Sequence, residues 1–253
     1  MLLLEGAHDA YANLALEEAV FINNGRDALT LRVWNNERSI VIGRAQLARF
    51  ETDVDYCLAE GIPIVRRFTG GGAVYHGPGN LNWSISVGRD FSAGRIKYAW
   101  DIREVFRVSA SLVTTAIQMC GREARFEGPA NRILSSEGKV SGMAAYLSKD
   151  GTFCHGTLLL HADLDEAARL TEPAKTELER RYARSAPMRM ANIEIEPDRF
   201  VSSLSAAISE ETRAALDARE PTGEELGIVQ TILPRYRDAN WNLGDPFTAP
   251  TTN

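Results

Sequence analysis

Three consecutive glycines, Gly70 to Gly72, constrain this chain more than any other feature. They follow an apolar run, Ile62-Pro63-Ile64-Val65, and lead into a second strand-like pattern at Trp83, Ile85 and Val87. Glycine loses more backbone freedom on folding than any other residue, so a run of it belongs where a loop needs positive φ or where a ligand touches bare backbone. Amides presented by such a loop form a concave nest for a phosphate or carboxylate. Arg66 and Arg67, just upstream, carry fork-shaped donors suited to the same anions. His76, Gly79, Asn80 and Asn82 add a second polar cluster. A glycine triplet alone is as well read as a hairpin turn beside a charged edge; the arginines and the imidazole tip the reading towards anion binding. The stretch is not a Walker loop, because no Gly-Lys-Ser/Thr follows. Nor is it a dinucleotide fingerprint, because a strand follows where a helix should start.

Along the rest of the chain, strand and helix patterns are interspersed. Leu2 to Leu4 reads as a short edge strand, and Asp9 as the cap of a helix running to about Ile22, stopped by Asn23-Asn24-Gly25. Ala28 to Trp34 and Ser39 to Gly43 read as strands joined at Asn35-Asn36, and Asp53 to Glu60 as a short helix. Lys97 to Met119 is the longest helical pattern, with Ile102, Val105, Phe106, Leu112, Val113, Ala116 and Ile117 at core spacing. Residues 125 to 161 return to β, and helices are expected over 164–170, 173–184, 197–218 and 224–233. Short turns join many strands, so an α+β fold with mixed or antiparallel sheets flanked by helices is expected.

At 253 residues the chain supports one large domain, expected over 1–247, with a polar tail at 248–253. A formal charge of −6 argues against nucleic acid as a partner. Residues 175–189 run against that balance, with Lys175, Arg180, Arg181, Arg184 and Arg189 facing only Glu177 and Glu179. Such an arm suits an acidic partner or a phosphorylated ligand, or is a solvated helix face. Cys57, Cys120 and Cys154 are widely spaced and form no CxxC, as expected of reduced thiols in a cytoplasmic protein. The apolar start is interrupted by Glu5, His8 and Asp9, so no signal peptide is expected, and no run reaches the ~20 apolar residues of a membrane span.

A second unusual stretch is Gly138-Lys139-Val140-Ser141-Gly142-Met143-Ala144, which sets a lysine among small and apolar residues. An inward lysine is unfavourable unless an anion meets it, whereas a turn lysine in solvent needs nothing. Further on, His155 sits inside the apolar run Phe153 to Leu160, and Asn131 precedes the lysine in GPANRIL.

Together NLALEEA, WNNERSIVIGRAQ, RRFTGGGAVYH, GNLNWS, GKVSGMA and HGTLLL resemble, in order and spacing over roughly residues 10 to 195, the lipoate–protein ligase family. The resemblance implies a biotin-ligase-like catalytic domain. It implies activation of lipoate by ATP, with Mg²⁺, to lipoyl-AMP, and transfer to a lysine of an apo lipoyl carrier domain, glycine-cleavage H-like or dehydrogenase E2-like. By the same resemblance Lys139 and Arg67 are catalytic, with Lys139 touching both the acyl carbonyl and the adenylate phosphate. Gly70, Gly71, Gly72, Ala73, Val74, Tyr75, Asn80 and Asn131 complete the nucleotide site. Leu14, Leu16, Glu17, Trp34, Thr69, His76, Ser141, Ala144 and His155 correspond to the lining of the acyl tunnel. Such a tunnel shields a mixed anhydride from water.

Three departures qualify these implications. His76-Gly77-Pro78-Gly79 stands where the family has His-Asp-x-Gly, and Asn131-Arg132 where it has Asn-Asp, which leaves the metal ligands open. After Trp241 to Phe247 the chain soon ends, as in split ligases whose accessory domain is a separate polypeptide. Two other readings stay open. One is a carrier-to-carrier octanoyl or lipoyl transferase working through a cysteine, for which Cys154 is the candidate. The other is an acyl-adenylate-binding protein without catalysis.

Overall fold

Asp9 caps the first helix by accepting the amides of Tyr11 and Ala12. Such a cap is worth about 1 kcal/mol, and helix α1 then runs Ala10–Ile22. The computed structural model describes residues 2–3, 9–171, 176–177, 181, 183, 185 and 188–246. The chain continues through β2 (Leu29–Trp34), β3 (Ser39–Ile42), the short helices α2 (Ala48–Glu51) and α3 (Val54–Ala59), and β4 (Ile64–Arg66). Then come β5 (Val74–His76), β6 (Asn80–Gly88), the small hairpin β7 (Ser92–Ala93) and β8 (Ile96–Lys97), and helix α4 (Ile102–Met119). Strands β9 (Arg125–Glu127), β10 (Arg132–Leu134), β11 (Lys139–Leu147) and β12 (Gly151–Leu159) precede α5 (Leu164–Thr171). Helices α6 (Pro197–Thr212), α7 (Gly223–Arg237) and α8 (Ala239–Leu243) complete the described chain.

The main sheet has seven strands in the order β1-β2-β6-β12-β11-β10-β9, where β1 is Leu2–Leu3. Only the β1–β2 pair in it is parallel. A second sheet orders β4-β3-β5, with β3–β4 parallel and β3–β5 antiparallel. The α+β expectation with mixed sheets holds.

One face of the main sheet packs against α4 and α6 through Leu31, Trp83, Ile85, Cys154, Phe106 and Phe200, among others. Helix α4 starts at Ile102 rather than Lys97 because Ile96 and Lys97 pair with Ser92 and Ala93, and Asp101 supplies the cap. The glycine stretch is also more structured than expected: Val74–His76 leaves the loop as β5 and pairs with β3. The helix expected over 173–184 lies mostly outside the described residues.

Candidate active site

The two arginines before the glycines, Arg66 at the end of β4 and Arg67 just past it, point apart and do different work. Arg66 is fully buried and donates to the carbonyls of Gly43, Arg44 and Gln46 on one side and Trp241, Asn242 and Gly244 on the other. It is a structural knot, not the anion donor expected from its position. Burial lowers its pKa to about 10, so it stays charged at neutral pH. Arg67, also buried, turns to the loop itself and donates to the carbonyls of Gly70 and Gly72 and to Thr69 Oγ1 at 3.0 Å.

The triplet is shaped by this bracing. Only Gly71 of the three has positive φ, at +89°, and its carbonyl lies where a Cβ on Gly43 would be, 2.3 Å away. With the carbonyls drawn to Arg67, peptide planarity turns the following amides away. That of Ala73 is met by Ser185 Oγ at 2.8 Å. Gly70 has open space around it and no positive φ, so nothing local demands glycine there. At Gly77 a Cβ would lie 2.3 Å from the Tyr75 hydroxyl, which donates to Glu166. The space for a carboxylate after His76 is therefore filled by a phenol.

Above the polar face of the main sheet lies a cavity of about 320 Å³. Of the residues expected at the site, it is lined by Leu14, Trp34, Arg67, Gly72, Ala73, Val74, Tyr75, His76, Asn131, Lys139, Ala144 and His155. Gly70, Gly71, Asn80, Leu16, Glu17, Thr69 and Ser141 do not line it. Leu16 is set apart from Leu14: residues two apart on a helix face opposite sides, and Leu16 packs on Val229 of α7 while Leu14 lines the cavity. Ser141 is fully buried next to Gly142, and Asn80 sits behind Asn82, donating to its Oδ1 at 3.2 Å.

Glu17 and Thr69 act from behind the wall. The Glu17 carboxylate accepts from His155 Nδ1 at 2.8 Å, and Thr69 Oγ1 is 2.8 Å from His155 Nε2. Arg67 Nε donates to the same Thr69 Oγ1, so Thr69 ties the guanidinium to the imidazole. His76 is fixed in the same manner. Arg32 donates to Asn13 Oδ1 at 2.7 Å, Asn13 Nδ2 to Asn36 Oδ1 at 2.8 Å, and Asn36 Nδ2 to His76 Nδ1 at 2.8 Å. Because the chain starts at a guanidinium, every member's orientation follows, and His76 carries its proton on Nε2. Burial, then the nearby charge of Arg67, pushes its pKa down to about 3.

Lys139 begins β11 rather than sitting in a turn: its amide donates to Arg189 O and its carbonyl accepts from Ala191. Its ammonium lies over Gly142, where a Cβ would be 3.1 Å from Nζ. Burial lowers its pKa, and Arg132 and Arg67 push in the same direction. Among the described residues no carboxylate pairs with it, whereas Arg132 is paired with Glu127. Among the described residues no aspartate or glutamate lines the cavity, and no three His, Cys, Asp or Glu side chains converge on a metal position. The lining does not fit a protein-held Mg²⁺. Nor does it fit a thiol nucleophile: Cys154 is buried in the apolar core with its pKa pushed to about 12, and Cys57 and Cys120 are buried as well.

Several lining residues escaped the sequence reading, among them Thr157, Thr171, Ser185, Met188 and Met190. Thr157 could have been found, since it shares a strand face with His155. Ser185 and Met188 lie in the basic segment, whose composition points outward, and Met190 directly follows it. Arg181 of that segment is exposed, but Lys175, Arg180 and Arg184 lie outside the described residues.

Residues 9–211 match the family model of the lipoyl protein ligase A/B catalytic domain. Lipoate-protein ligase A subunit 1 of Thermoplasma acidophilum is 30% identical over 261 residues, covering 96% of both chains. A structure of a putative lipoate protein ligase from T. acidophilum with bound lipoic acid superimposes with a TM-score of 0.81 at 29% identity, covering 96% of this chain and 98% of that one. A lipoate-protein ligase A bound with ATP gives 0.80 at 29%, covering 96% and 97%. A structure from an archaeal lipoylation system, described as a bi-partite lipoate protein ligase and its E2 lipoyl domain from T. acidophilum, gives 0.82 at 28%, covering 96% and 95%. Among the described residues no helix is long and apolar enough to cross a membrane.

Proposed function

The chain belongs to the lipoyl protein ligase A/B catalytic-domain family and is a lipoate–protein ligase, and from that premise we propose how its cavity works. Lipoate and ATP bind side by side, and a lipoate carboxylate oxygen attacks the α-phosphorus. The bond to pyrophosphate breaks, and lipoyl-AMP remains. The ε-amine of a lysine on an apo lipoyl carrier domain then attacks the acyl carbonyl, AMP leaves, and an amide remains.

The observation that carries this reading is Lys139. A buried ammonium flanked by two guanidiniums and lacking a carboxylate partner is unfavourable until an anion arrives. Two reactants that are both anionic supply one. Lys139 neutralises carboxylate and α-phosphate together and stays in place as charge develops in the transition state. Arg132 adds a cation at the phosphate side, and Arg67 holds the glycine loop so that Gly72 to Tyr75 present backbone to the base. Thr69, Glu17 and His155 fix one wall, and Leu14 and Ala144 give the acyl chain an apolar surface. The bi-partite relative supports two partners: an E2-like carrier domain and a separate accessory subunit that completes activation.

The test is to incubate the pure chain with lipoate and ATP, with and without Mg²⁺, and to follow pyrophosphate and lipoyl-AMP. Lipoylation of an apo carrier is then compared from lipoate plus ATP and from synthetic lipoyl-AMP. Adenylate formation supports the reading, and a large excess from the adenylate donor supports a missing accessory subunit. Lipoyl transfer from carrier to carrier without ATP would refute it.

A further inference from the structure

A second cation stands beside Lys139 on the way to the sheet edge. Arg132 pairs across β10 and β11 with Gly142, the residue over which the Lys139 ammonium lies. On its other side it pairs with Glu127 of β9, the edge strand. Directly paired residues share a face of the sheet, so Arg132 sits one strand spacing, about 5 Å, from Gly142 towards that edge. It lines the cavity, and after burial its charge is the next cause of the lowered Lys139 pKa. Glu127 takes the Nε and Nη2 side of the guanidinium, and among the described residues nothing takes Nη1. The sequence left the metal ligands open at positions 77 and 132, and the structure closes both. Position 132 carries the guanidinium itself, and a Cβ on Gly77 would lie 2.3 Å from the Tyr75 hydroxyl.

We propose that Arg132 is a catalytic residue of adenylation that takes the place of a protein-held metal: its guanidinium binds the β- and γ-phosphates of ATP and neutralises pyrophosphate as it leaves. The proposal rests on the ligase reading, which puts the lipoate carboxylate and the α-phosphate at Lys139. A carboxylate oxygen forms a bond to the α-phosphorus, and the bond from that phosphorus to the oxygen bridging to the β-phosphate breaks. The bonding pair and its charge go to pyrophosphate, in line with the attack. A guanidinium about 5 Å beyond Gly142 meets that charge, and its planar fork suits phosphate oxygens. Such a cation is in place before ATP arrives and needs no reorganisation as charge develops. Uncomplexed ATP is therefore a full ligand of this chain, and Mg²⁺ adds nothing to its affinity. AMP, which lacks the β- and γ-phosphates, binds without help from Arg132.

The experiment titrates the full chain calorimetrically with ATP, inorganic pyrophosphate and AMP, without lipoate, in EDTA and in Mg²⁺. Wild type should bind ATP equally in the two buffers, within about threefold. Arg132→Gln should weaken ATP and pyrophosphate by about 10- to 100-fold, the worth of a lost charge-assisted hydrogen bond, and leave AMP as it was. A wild type that binds ATP more than about tenfold more weakly in EDTA overturns the proposal. So does an Arg132→Gln protein that keeps its ATP affinity, or one that loses as much on AMP as on ATP, which marks a guanidinium that only supports the hairpin. If Arg132→Gln does not fold, Arg132→Lys applies the same comparison, since an ammonium keeps the charge but not the fork; it should lose about fivefold on ATP alone. Binding is read without lipoate, so failed adenylation alongside this pattern counts against the ligase reading and not against Arg132 as the triphosphate ligand.

Discussion

The two faces of strand β6 are equally buried and chemically opposite. All nine residues from Asn80 to Gly88 are buried. Leu81, Trp83, Ile85 and Val87 enter the core beneath α4 and α6. Asn80, Asn82, Ser84 and Ser86 face the other way, on the side that carries Arg32, Trp34 and His155 in the neighbouring strands. Alternation of this kind ordinarily marks a sheet with one wet face. Here the polar face is buried too: Arg32 and His155 on it are held in relays, and Trp34, Asn82 and His155 reach the cavity wall. One face supplies stability through area removed from water, and the other supplies position.

If that division is right, substitutions on the two faces should fail differently. Trp83→Ala should cost about 3–5 kcal/mol of stability, read from a denaturant midpoint, because it empties the packed side. Any adenylation that survives should keep its KM. Lys139→Met should do the reverse. Adenylate formation should fall by about 10²–10³-fold, with no loss of melting temperature, since an unpaired buried cation is removed. A Lys139→Met protein that ligates normally would break the comparison.

His76 sharpens it through acid. The unfolded imidazole takes a proton near 6.5, whereas in the fold its pKa is depressed to about 3. Its contribution is therefore present above pH 6.5 and lost as pH falls towards 3. Between pH 6.5 and 5 the wild type should lose about 2 kcal/mol more than His76→Gln. Parallel stability–pH curves for the two proteins would show that the Nδ1 acceptor does not hold the ring neutral. The smallest effect belongs to Cys154→Ala, on the apolar face. It should lower stability by about 1 kcal/mol and leave adenylation within twofold, measured by pyrophosphate release. A larger loss of activity would return the thioester route.

Most elements were legible because their signals are local. Asp9 before a helical run, the alternation in NLNWSISVG and the core spacing of α4 each act within a few residues. The site was legible as motifs, but not the division of labour within them. Arg66 and Arg67 are chemically identical, and only the side each one faces at the end of β4 decides which ties down the C-terminal helix and which braces the loop. Leu14 and Leu16 differ in the same way on a helix. Period shows that two positions face apart, but not which one meets the ligand; that depends on elements tens of residues distant. The burial of Asn82 was hidden for this reason.

The Arg66 knot also sets an order in time. Three of its carbonyl acceptors, on Trp241, Asn242 and Gly244, lie at least 175 residues downstream of the guanidinium they satisfy. On a ribosome both sheets can emerge and pair while the base of the glycine loop still lacks half its anchor. Chains arrested at residue 238 should therefore keep the protease resistance of the β-sheets yet be cut between Gly43 and Gly72, and the cut should vanish once residue 246 has cleared the exit tunnel.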